Sequence, residues 1–91
     1  MNELKKMYKD SKADIVRKWV ATEVPRCYEI AKLFASNAKP TASCVLNADV
    51  PAYAWDSIVD NLRHKYGIEA KVDNDRDTSY TPTVVMRGWA D

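Results

Sequence analysis

From Asn2 to about Ala21 the apolar residues Leu4, Met7, Tyr8, Ile15, Val16, Trp19 and Val20 recur at three- and four-residue steps. That is the spacing of a stripe along an amphipathic helix. Ser11 followed by Asp14 offers an internal cap, so residues 2–10 form a separable turn of helix. Thr22, Glu23 and Pro25 then resemble a fresh helix start, because proline is tolerated in a first turn whose N–H groups lack partners anyway. A second helix is predicted over residues 23–36, with Val24, Cys27, Tyr28, Ala31, Leu33, Phe34 and Ala35 as its apolar positions, and Asn37 to Pro40 ends it. A single long helix kinked at Pro25 is the alternative.

Beyond Pro40 the pattern shortens. Residues 42–47 are partly β-branched and bounded by turn formers, which predicts a strand inside a sheet. Asp49 is placed to cap a third helix with Pro51 in its first turn, and Gly67 stands where a helix ends. Between them Trp55, Ile58, Val59, Leu62 and Tyr66 mark one helical face. Ile68, Ala70 and Val72 alternate with Glu69 and Lys71, the period of a half-buried strand. A polar loop over 73–79 leads to a last strand from Tyr80 to Trp89, and Pro82 near its start favours a sheet edge. The fold class that follows is α+β: two N-terminal helices, then strand, helix, strand, strand, with a small, roughly three-stranded sheet covered on one face by helices.

Ninety-one residues, 46% of them apolar, fit one domain spanning residues 1–91 around one core. No stretch approaches the roughly 20 apolar residues of a membrane span, and no apolar segment follows the basic start. A cytoplasmic protein without membrane contact is expected. Two cysteines, Cys27 and Cys44, are too few for a disulfide framework and sit among apolar neighbours, as reduced core thiols do.

Net charge is only +1, but residues 1–40 carry nine Lys/Arg against five Asp/Glu, whereas residues 41–91 carry five against eight. The chain therefore has a basic and an acidic half. Catalytic and metal-binding patterns fare poorly. Asp73, Asp75 and Asp77 resemble the first half of a calcium loop, yet Thr78 and Val84 stand where such a loop needs Gly and Glu. Asp56, Asp60 and His64 share a helical face, an arrangement equally explained by charges complementing the helix dipole. His64, the only histidine, has no signature pairing it with either cysteine, and two glycines make no phosphate loop. No catalytic residue, metal or cofactor is expected.

Two surfaces remain. One is a cationic ridge of Lys5, Lys6, Lys9, Lys12, Arg17 and Lys18, suited to an acidic partner or to phosphates. The other is aromatic: Tyr53, Tyr80 and the pair Arg87 and Trp89 on the expected edge strand, residue types enriched in interface hot spots. Trp89 is expected on one face with Val85 and Arg87, its competing placement being a fold-back over the core. The function expected is a small non-enzymatic protein-binding module, a regulator or inhibitor of a larger assembly of the sort frequent among phage and plasmid accessory genes. Its partner would be another protein or a second copy in a homodimer. A nucleic-acid binder using the basic first helix is the alternative, though an acidic hairpin loop argues against a DNA-reading wing, and a metal-dependent or thiol enzyme is the remote one.

Overall fold

One continuous helix, α1 (Asn2–Ser36), stands in place of two, as in the alternative reading of a single long helix through Pro25. Neither Ser11 nor Pro25 breaks it. The computed structural model describes residues 2–73 and 82–90, so the predicted calcium-like loop beyond Asp73 and the candidate Tyr80 lie outside the described residues. Pro25 has no N–H to offer the Ala21 carbonyl. The helix passes through because Val20, Val24, Cys27 and Ala31 keep a continuous stripe packed on the core across the proline, and tertiary burial of such a stripe outweighs one missing backbone bond. At 1.5 Å per residue, 35 residues make a rod of about 52 Å, nearly the whole 54 Å length of the molecule.

The remaining elements gather under the C-terminal two-thirds of this rod. They are β1 (Thr41–Val45), a 3₁₀ turn at Ala52–Ala54, α2 (Trp55–Tyr66), β2 (Glu69–Asp73) and β3 (Thr83–Arg87). Among the described residues the sheet is antiparallel with order β1-β3-β2. This matches the α+β expectation, including the pairing of the last two strands, but exchanges two roles. The last strand is central and the first is an edge. Pro82 misled because it precedes the strand rather than sitting in the ladder: it donates nothing, but its carbonyl accepts the Leu46 N–H at 2.9 Å. Fully buried Val84 and Met86 confirm the central place of β3.

The sheet is two-faced. Ala42, Cys44, Ala70, Val84 and Met86 point into the core beneath α1 and α2. The opposite face presents three rows set by the register, Thr41–Arg87–Glu69, Ser43–Val85–Lys71 and Val45–Thr83–Asp73. Its mix of hydroxyls and charges around half-buried Val85 and exposed Val45 is that of a solvated face.

α2 matches its prediction on the apolar side, with Ile58, Val59 and Leu62 buried. Gly67 ends it in the left-handed conformation, φ 67°. Its N–H donates to the Arg63 carbonyl at 2.9 Å, the bond of an αL stop, and the Ile68 N–H reaches the Leu62 carbonyl at 3.5 Å. The start differs: Asp49 caps nothing and instead donates its N–H to Asn47 Oδ1 at 2.9 Å, and the 3₁₀ turn leads into α2. Tyr28 of α1 and Tyr66 of α2 stack with ring centroids 3.8 Å apart and planes 6° from parallel. The stack ties the two helices, and Lys32 and Lys65, each on the same helix as its tyrosine, lie 5.5 Å from one of these rings.

α1 ends in a Schellman pattern, with Ala38 N–H bonded to Ala35 O and Lys39 N–H to Phe34 O. Here the left-handed residue, φ 59°, is Ala38, whose Cβ makes that conformation costly. Ala38→Gly should therefore stabilise the fold by about 1 kcal/mol. A higher urea midpoint at unchanged slope would confirm it.

Candidate interaction surfaces and the buried clamp

The one buried charge among the described residues was missed by sequence reasoning. Glu23 is 2% exposed on the core-facing stripe of α1. Arg26, one turn on, donates Nε to Oε2 at 3.1 Å and a terminal guanidinium nitrogen to Oε1 at 2.9 Å. The same Oε1 accepts the Asn47 N–H at 2.8 Å, and the guanidinium nitrogen also donates to the Val45 carbonyl at 2.7 Å. The pair thus clamps the end of β1 onto α1. Burial alone would raise the Glu23 carboxyl pKa, but the Arg26 hydrogen bond, the Asn47 N–H and the Arg26 charge outweigh it and hold it below its ordinary value. The signal lay in spacing: Glu23 sits three residues after Val20 and four before Cys27, in line with buried positions.

Beside the clamp, Cys27 and Cys44 are both free and buried. Hydrogen bonding with Cys44, followed by burial, pushes the Cys27 thiol far above its ordinary value. His64, the one base imagined beside them, lies exposed on α2. On the same helix Asp60 is drawn to Arg63 at 3.6 Å, and no group of three or more His, Cys, Asp or Glu among the described residues could hold a metal ion.

Most of the exposed large hydrophobic residues among the described residues are on α1. Every residue from Asn2 to Ser11 is exposed, so the first three turns project beyond the body as an arm. Leu4, Met7, Tyr8 and Ile15 are 76%, 59%, 64% and 38% exposed. At about 100° per residue, Leu4, Tyr8 and Ile15 fall within about 40° of one another. Val16, Val20, Val24, Cys27 and Ala31, which meet the body, centre roughly 140° further round. The single stripe read from sequence is therefore two stripes on different faces, and only the second finds a core.

The cationic ridge divides in the same way. Lys5, Lys9 and Lys12 fall on one side of α1, about 60° wide, and Lys6, Arg17 and Lys18 lie elsewhere around it. Arg17 is paired with Asp14 at 2.9 Å, and Lys18 lies 5.8 Å from the Trp19 ring. Lys12 extends over Tyr53 at 4.9 Å and Tyr8 at 5.9 Å. Tyr53, expected as an aromatic contact, thus joins the cationic set: Lys9, Lys12, Arg17 and Tyr53 line one groove of about 730 Å³ between α1 and α2.

Arg87 and Trp89 separate. Arg87 lies on the open sheet face, paired with Glu69 at 2.8 Å, beside a shallow depression that also involves Arg63 and Lys71. Trp89 does not continue the alternation of β3, because Gly88, φ 113°, turns the chain. Trp89 packs half-buried against the core and donates Nε1 to the Lys39 carbonyl at 2.8 Å. The fold-back placement holds, and the edge-strand docking element does not form as drawn. No helix of the described residues is long and apolar enough to cross a membrane. Compared with known family models, curated proteins and solved structures, the chain has no match.

Because the folded carboxyl of Glu23 titrates below its ordinary value of 4.5, its contribution is full above that pH and is lost as pH falls through the lower folded value. Glu23→Ala should cost about 3 kcal/mol at neutral pH by stranding Arg26 and the Asn47 N–H. It should also flatten the acid limb of stability, measured by urea unfolding across that range.

Proposed function

We propose that this chain is a non-enzymatic protein-binding module that docks through the projecting arm of α1. One observation carries the reading: Leu4, Met7 and Tyr8 present apolar side chains on a stretch of helix that the body does not cover, and Ile15 continues them along the outer side of α1. An isolated helix of that length is marginal in water, and contiguous exposed apolar surface on a small domain marks a contact site. A partner surface laid along the stripe would both bury it and hold the arm helical. Roles as a regulator or inhibitor of a larger assembly fit this mode of action, since occupying a surface needs no catalytic group.

The nucleic-acid reading rests on Lys5, Lys9 and Lys12 sharing one side of the helix. It calls for an affinity that falls steeply with salt, about one power of ten in affinity per decade of salt for each phosphate neutralised.

Affinity capture from a lysate separates these readings. Leu4→Glu/Tyr8→Glu should abolish recovery of the protein partner, while its unfolding free energy stays within about 0.5 kcal/mol of the parent because both side chains are exposed. Arg87→Ala, on the open sheet face, should leave recovery intact. Partner recovery undiminished by the arm substitutions would refute the proposal, and a salt-sensitive gel shift lost on reversing Lys5, Lys9 and Lys12 would establish the alternative.

A further inference from the structure

The groove where the arm leaves the body is built from two helical ridges. On α1, Lys9, Ala13, Val16 and Val20 follow one another at three- and four-residue steps; opposite them stand Tyr53, Ser57 and Asn61, four residues apart. The α1 ridge runs about 16 Å, close to three helical turns. Ala13, Val16 and Val20 supply an aliphatic floor, and Lys9, Lys12 and Arg17 supply the charge, with no carboxylate among the lining residues. Arg17 is already answered by Asp14. Among the described residues Lys9 and Lys12 form no salt bridge, and Lys12 is half-buried with its ammonium held against the rings of Tyr53 and Tyr8. An ammonium positioned by aromatic faces over an apolar furrow is set to receive a carboxylate.

We infer that this groove seats an acidic amphipathic segment of the partner protein, its apolar side chains on Ala13, Val16 and Val20 and its carboxylates on Lys9 and Lys12. The inference rests on the protein-binding reading and assigns it a second contact. A shallow aliphatic strip flanked by ammonium groups is a surface along which an amphipathic helix can lie, and charge complementarity selects the acidic sequence. A nucleic-acid strand fits less well. Its bases need open aromatic faces to stack on, yet Lys12 occupies Tyr53 and the floor is aliphatic. A partner covering the Leu4–Ile15 stripe and threading this groove would grip the arm from two sides.

The test uses fluorescence anisotropy on the full chain with three fluorescein-labelled probes: a helical peptide with a leucine stripe and glutamates elsewhere, the same peptide with lysines for glutamates, and an oligothymidylate. The acidic peptide should bind at least about tenfold more tightly than either other probe, and Lys9→Glu/Lys12→Glu should weaken it about tenfold or more. Circular dichroism of that variant should show an unchanged helix content and melting temperature. Absence of acidic-peptide binding, indifference to the double reversal, or tighter binding of the oligothymidylate would each overturn the assignment. If the lysine reversals leave lysate capture intact while Leu4→Glu/Tyr8→Glu abolishes it, the groove assignment fails and the docking arm stands. If neither variant alters capture, both fail.

Discussion

The structure turns on a carboxylate placed where water is absent. Burying an ionised glutamate is tolerated only when its oxygens are answered, and Glu23 is answered from two directions, by Arg26 within its own helix and by the Asn47 N–H beyond β1. Because Arg26 also reaches the Val45 carbonyl, the pair fixes how far along α1 the first strand lies. That placement brings Cys44 to Cys27 and offers the Leu46 N–H to Pro82, so the edge strand, the core thiols and the entry to β3 share one anchor. The two clamp residues also flank Pro25, where the helix lacks a backbone bond. The turn weakest in local terms is the turn most strongly held by contacts distant in sequence.

What the residue pattern disclosed is what local chemistry controls. The stripe of Ile58, Val59 and Leu62, the left-handed stop at Gly67 and the alternation of β2 all follow from side-chain spacing and backbone freedom over a few residues. The errors arose where distant contacts decide. Pro25 resembles a boundary until the buried stripe on either side of it is seen to be continuous, and Pro82 resembles an edge marker until it proves to lie one residue outside the ladder. Glu23 was overlooked because a charged residue is usually exposed. The division of the apolar stripe on α1 was in principle legible, since the angular phase of Leu4, Tyr8 and Ile15 differs from that of Val16, Val20 and Val24. Spacing alone merges them, whereas phase separates a stripe with a core from a stripe without one.

The same phase argument organises the surface. On the arm, the side continuing toward the body carries Lys9 and Lys12 and the side turned away carries Leu4 and Tyr8. The basic half of the sequence is thus not a uniform cationic face but a helix apolar on one side and cationic on another. Tyr53, distant in sequence, completes the cationic side. On the open sheet face Arg87 is answered by Glu69 across the strands.

The central place of β3 bears on the order in which this fold can come into being. β1 and β2 never touch; each is paired only through a strand that lies some forty residues after the first and about ten after the second. As the chain emerges during synthesis, α1, β1 and α2 must wait with their apolar faces uncovered until residues 83–87 arrive to close the sheet between its two edges. Such late, non-local closure slows folding and prolongs exposure of unpaired strand edges. A chain released before Arg87 would lose the middle of its sheet rather than a dispensable tail.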